Sequence, residues 1–211
     1  MTHTLHRRGT PANLAHDFPM HSIPARGFNN EGCKPKLQGF LRVAQKYNPV
    51  NLGESKLGNK FVRDIQDMYD HLSTITHAVL TDPDDVTELL KDMKQEDFGM
   101  SLTLSGLLET LFACCKKADI TPHVIEYSLG VQGRTEKLPE TEISQVTTMC
   151  GHAMISQGLV RRMIRKIKTG EMTPWEGAVE LTKQCQCGIC NPVRAAELLE
   201  ECCALYAVNV A

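Results

Sequence analysis

The sequence predicts a mainly α protein: a single compact helical domain preceded by an irregular N-terminal arm, with at most a minimal β element. Three observations lead there. Apolar residues recur at helical spacing through most of the chain, cap-and-proline signals punctuate its last third, and six of the nine cysteines crowd between Cys150 and Cys203. With 211 residues, 42% hydrophobic and 23% charged, the chain is long enough and apolar enough for one packed core.

Residues 1–34 carry His3, His6, His16 and His21 among prolines and glycines with no sustained period. They read as an arm that wraps the domain, anchored by Leu14, Phe18, Met20, Ile23 and Phe28. The helical domain then spans 35–211. Leu37, Phe40, Leu41 and Ala44 open it at helical spacing until Asn48 and Pro49 stop the run, and 50–59 reads as a loop. Phe61, Ile65, Met68, Leu72, Ile75 and Val79 form one stripe and predict a helix over 60–79. Asp82 before Pro83 is an N-cap with proline at the first helical position, and Asp84 and Asp85 suit the positive end of that helix. Leu104, Leu107, Leu108, Leu111, Phe112 and Cys115 predict another over 102–117. Only 122–129, with Val124, Ile125 and Tyr127, favours a strand, and one strand cannot satisfy its own backbone. A small sheet with the arm, or nothing regular, is expected there.

Residues 138–211 read as a cysteine-rich metal-binding module. Ile143, Val146 and Cys150 form a short helix ended by Gly151; Ser156 begins the next, with Leu159, Val160, Met163, Ile164 and Ile167 on its core face. Thr173, Pro174 and Glu176 make a capping box, and Asn191 and Pro192 repeat the cap-then-proline signal before the last helix.

Cys185, Cys187 and Cys190 place three thiols within six residues around Gly188, whose backbone freedom lets a short loop curl its side chains inward. Without an apolar leader in the first twenty residues the chain reads as cytoplasmic, where thiols stay reduced and serve as ligands or buried groups. Cys150, at a helix end, is the expected fourth ligand, and His152 the expected acid or base. The helix starting at Pro192 would aim its free amides at the thiolates. An iron-sulfur cluster, 4Fe-4S by preference, is therefore the leading expectation for Cys150, Cys185, Cys187 and Cys190, in a protein of anaerobic or redox metabolism. If Cys150 does not bind, an open iron implies a lyase, dehydratase or oxidoreductase. The alternatives are a zinc-stabilised scaffold and a metal-free thiolate enzyme.

The remaining features read more plainly. Cys33, Cys114, Cys115, Cys202 and Cys203 are expected as buried small hydrophobes or plain thiols. Arg161, Arg162, Arg165, Lys166 and Lys168 give one helix a basic face, a solvated surface or a dock for an acidic electron-transfer partner or an anionic small molecule. His6, Arg7 and Arg8 close over the site if the arm wraps. The net charge of -2 gives no general attraction to nucleic acid, and no apolar run is long enough for a membrane span.

Overall fold

The computed structural model describes residues 4–206. His3 of the expected arm and the last five residues of the expected module lie outside them. A single turn, α1 (Pro11–Leu14), leads into β1 (Phe18–Ile23), followed by α2 (Lys34–Gln45), a hairpin of β2 (Asn51–Glu54) and β3 (Gly58–Asn59), and α3 (Ile65–His71). Then come β4 (Thr76–Leu80), α4 (Pro83–Glu96), β5 (Ser101–Leu104) and α5 (Leu108–Lys117). The chain ends in four helices, α6 (Thr141–Thr147), α7 (Gln157–Lys168), α8 (Pro174–Gln184) and α9 (Pro192–Leu205).

The β content corrects the expected fold class. The fold is mainly helical, but it is built on a five-stranded sheet of order β3-β2-β4-β1-β5 in which every neighbouring pair is antiparallel. The reason is visible in two segments. The expected helix over 60–79 is α3 followed by β4, because after Leu72 the residues Thr76, Ala78 and Leu80 alternate in facing with His77 and Val79. The expected irregular arm supplies β1, the strand that binds both β4 and β5. Three of the arm's expected anchors follow the pattern of a strand: Phe18 and Met20 are buried in the core and Ile23 closes β1, whereas Phe28 is 92% exposed. Residues 102–104, expected at the start of a helix, form β5, and the helix begins at Leu108. The stretch 122–129 forms no strand.

Antiparallel register assigns the two faces. Phe18, Met20, Leu52, Ala78 and Leu80 lie on one face and pack with Leu37, Phe40 and Leu41 of α2 and Val86 and Leu89 of α4. Each such side chain contributes roughly 1.5–3 kcal/mol by leaving water. The opposite face carries Asn51, Gly53, Asn59, His21 and His77 beside the apolar Pro19, Ile23 and Val79. A second apolar cluster, from Ile143, Val146 and Met149 through Val160, Met163 and Ile164 to Leu181, Ile189, Leu198 and Leu199, holds the four C-terminal helices together. Four of the helix starts expected from sequence are found: Asp82 caps α4, Ser156 caps α7, Thr173 and Glu176 form the capping box of α8, and Asn191 caps α9.

The cysteine loop lies directly on β2. A Cβ at Gly53 would sit 2.7 Å from the Cys187 carbonyl oxygen, and one at Gly188 would sit 2.6 Å from the Gly53 nitrogen. Gly188 also holds φ at +81°, in the left-handed region. Gly188→Ala therefore meets both a backbone clash and backbone strain. It should lower stability by at least about 2 kcal/mol in urea denaturation, and an unchanged midpoint would show that the loop does not seat on the sheet.

Candidate functional site

Three carbonyls of the cysteine loop, those of Cys185, Ile189 and Cys190, are met by polar side chains from elsewhere. Asn59 donates through Nδ2 to the Cys185 oxygen at 2.8 Å and to the Thr182 oxygen at 3.0 Å, and Asn51 donates to the Cys190 oxygen at 2.8 Å. Arg7 donates to the Ile189 oxygen and, at 3.1 Å, to the Met149 oxygen beside Cys150. A buried loop without a ladder of its own needs such partners, since an unmet buried backbone group costs as much as a lost hydrogen bond.

Behind the loop sits a buried charge cluster. Asp17 receives Nη1 of Arg7 on both oxygens, at 2.5 and 2.6 Å, Nη1 of Arg194 at 3.0 Å and Nδ2 of Asn191 at 3.2 Å. Burial would lift the Asp17 carboxyl. The charges of Arg7 and Arg194, with hydrogen bonds from Arg7 and Asn191, outweigh it and hold the group below its ordinary 3.8.

Four thiols come to this place, each at most 3% exposed: Cys150 just after α6, Cys185 at the end of α8, and Cys187 and Cys190 in the loop. Three of them, with Cys185 in the middle, shift one another's proton affinity. Cys150 is pushed far up by its hydrogen bond to Cys185 and by burial, so it keeps its proton. At Cys185 the bond from Cys150 pulls down, but the bond to Cys187, burial and the neighbouring sulfur charges outweigh it and push the thiol up. Cys187 is the thiol that goes down: Cys185 draws it down most, burial opposes, the Ile189 backbone lowers it further, the Cys150 sulfur opposes, and the Arg7 charge adds the smallest lowering. Cys190 stands apart. Burial pushes it up to about 12, and its sulfur faces the Thr182 hydroxyl at 3.7 Å.

His152 is exposed, in the turn that follows Cys150, and its Nδ1 lies 3.8 Å from the Cys187 sulfur. The turn is closed by the Ala153 amide on the Cys150 oxygen at 2.9 Å, with Ala153 at φ +57°. The single thiol drawn toward its anion is therefore the one beneath an exposed imidazole.

This arrangement corrects the expected metal centre. Among the described residues, no group of three or more His, Cys, Asp or Glu side chains is placed to hold a metal ion. The iron-sulfur and zinc expectations for Cys150, Cys185, Cys187 and Cys190, and the electron-carrier, open-iron and zinc-scaffold roles built on them, fall with it. Two physical reasons are evident. A metal site needs several thiolates converging on one point, whereas here the Cys190 sulfur faces the Thr182 hydroxyl at 3.7 Å and the Cys187 sulfur faces His152 Nδ1 at 3.8 Å. The α9 amides expected to face the cluster are taken by Asn191, whose Oδ1 accepts from Val193 and Arg194, both at 3.1 Å.

Cys33, Cys114 and Cys202 are buried; in α5 the buried cysteine is Cys114, whose thiol reaches the Pro83 oxygen, while Cys115, expected on the core face, is half-buried. The basic face of α7 is in part taken up within the chain: Arg161 pairs with Glu140, Lys166 lies 3.7 Å from Glu171, and Lys168 donates to the Cys203 and Tyr206 oxygens. Of the three arm residues expected over the site, Arg7 reaches it, the Arg8 amide binds Thr148, and His6 pairs instead with Ser128. Asp17, Arg194, Asn51 and Asn59 had no sequence signal as site residues; only Asn191, read as a cap, marked the neighbourhood. Among the described residues no helix is long and apolar enough to cross a membrane. No known protein-family model, curated protein or solved structure matches the chain.

Asp17→Asn leaves two buried guanidiniums without their carboxylate and should cost about 3–5 kcal/mol in chemical denaturation. In the native protein the Asp17 contribution is present above the ordinary value of 3.8 and is lost as the pH falls through its lower folded value. A variant as stable as the native protein, with the same acid transition, would remove this cluster from its structural role.

Proposed function

We propose that the chain performs metal-independent thiol exchange, with Cys187 as the nucleophile, Cys185 as the resolving thiol and His152 as the proton donor to the leaving group. The observation that carries this reading is the chain of sulfurs ending at Cys187, the thiol drawn toward its anion, in contact with an exposed imidazole. The thiolate, and not the thiol, attacks.

In the first step the Cys187 thiolate attacks one sulfur of a small disulfide. A Cys187–substrate disulfide forms, the substrate's own S–S bond breaks, and His152 protonates the departing thiolate. Cys185, two residues away, then attacks the Cys187 sulfur. Its proton passes to the second substrate thiolate, the mixed disulfide breaks and a Cys185–Cys187 disulfide remains. The substrate gains two electrons and the cysteine pair loses two. A neighbouring thiol suits exchange better than acyl transfer, because Cys185 would intercept any thioester formed on Cys187. With Cys187 only 3% exposed, the exchanging group is small and enters past the turn that holds His152.

Timed iodoacetamide labelling from pH 5 to 9, mapped by peptide mass spectrometry, tests the nucleophile. Cys187 should label first, with a midpoint below the roughly 8.5 of a free thiol, and Cys187→Ser should remove the fast phase; first labelling at the half-buried Cys115 or Cys203 would end the assignment. A small aromatic disulfide should release two thiolates from the native protein and one from Cys185→Ser. His152→Ala should slow the first release by about a hundredfold at neutral pH, and native rates in that variant would remove the imidazole from the reaction.

A further inference from the structure

A thiolate at 3% exposure needs a counter-charge inside the protein, since an isolated buried anion is strongly disfavoured. The adjacent cluster has one to give. Arg7, Asp17 and Arg194 are buried with side chains 5%, 0% and 1% exposed, and two guanidiniums against one carboxylate leave a positive charge unmatched.

The hydrogen bonds show which arginine supplies it. Arg194 directs Nη2 away from the loop, to the Arg8 oxygen at 2.5 Å and to Asn13 Oδ1 at 3.1 Å. Arg7 directs Nη2 into the site, onto the carbonyls of Met149 and Ile189, which precede Cys150 and Cys190. Ile189 stands two residues after Cys187, so the guanidinium holds the backbone of the loop that carries the sulfur. One arm residue thus ties the Cys150 turn to the cysteine loop, although it lies more than 140 positions from either.

We propose that Arg7 is the positioning residue of the site, acting as the buried counter-ion of the Cys187 thiolate while its two carbonyl contacts fix the Cys150 turn against the cysteine loop. The proposal rests on the reading of Cys187 as the nucleophile. The groups facing that sulfur come from three directions. Cys185 with Cys150 behind it lies at the α8 end, His152 is on the turn after α6, and Arg7 is on the arm with Asp17 and Arg194 behind it; Cys190 follows in the loop itself. Of these, Arg7 and Arg194 are the permanent cations, and Asp17 cancels the charge of one.

The test is the pH profile of Cys187 labelling in full-length Arg7→Met and Arg7→Lys, with folding checked by circular dichroism. Arg7→Met should raise the midpoint by about one pH unit and slow labelling at neutral pH about tenfold. Arg7→Lys should return the rate to within about threefold of native, because it restores the charge. A folded Arg7→Met with the native profile, or an Arg7→Lys profile matching that of Arg7→Met, overturns the proposal. Should Arg7→Met fail to fold, Arg194→Met carries the test: it leaves Arg7 matched by Asp17 alone, so the same upward shift is expected and an unshifted profile counts against the counter-ion. An ordinary thiol midpoint at Cys187 in the native protein is a separate failure, of the nucleophile assignment.

Discussion

The carboxylate of Asp17, held between Arg7 and Arg194, is the interaction on which the rest of the structure depends. It joins three parts of the chain that are remote in sequence: the arm through Arg7, the start of β1 through its own backbone, and the first turn of α9 through Arg194 and Asn191. Charges out of water are costly unless their geometry is good, and here both carboxylate oxygens and all four guanidinium Nη atoms have hydrogen-bond partners. Such a cluster adds little net stability over an apolar replacement. It restricts what can pack, because the arm has one seat in which all three charges are satisfied.

That seat places the arm's end where β1 begins, and β1 is the strand that unites the sheet. Its first face continues the apolar core under α2 and α4; its second joins a partly polar surface. Antiparallel sheets commonly leave one face to solvent, and a face bearing Asn51, Asn59, His21 and His77 has the composition of such a surface. It is covered instead by the cysteine loop, and its amides are what a buried loop needs. Asn51 and Asn59 do for the loop what a neighbouring strand would do, with Gly53 and Gly188 permitting the backbones to meet.

The helical half of the fold was legible because its signals are local. Thr173 with Glu176, and Asn191 with Pro192, act on amides two or three residues away, so the chain order alone reveals them. The sheet was less legible for a physical reason. A stripe from Phe61 to Val79 satisfies helical spacing even though the run breaks at Leu72, and a four-residue β5 is too short to establish a period of two. β1 was hidden further, because Pro19 interrupts the usual strand signature; its missing amide costs nothing there, since its oxygen still accepts from the Ser105 amide.

The candidate site divides in the same way. The cysteine spacing and the helix end at Cys150 were legible because they are local features of the chain. What the sulfurs do on meeting depends on residues without a local signature. Thr182 engages Cys190, Asn191 takes the α9 amides for itself, and Arg7 arrives from the far end of the chain to bind the Met149 and Ile189 carbonyls. A spacing of two and three residues is compatible with four thiolates around a metal and equally with a donor chain ending in one thiolate. Where the sulfurs face separates the two: the Cys190 sulfur meets the Thr182 hydroxyl, the Cys187 sulfur meets His152, and no metal-holding group of side chains forms among the described residues.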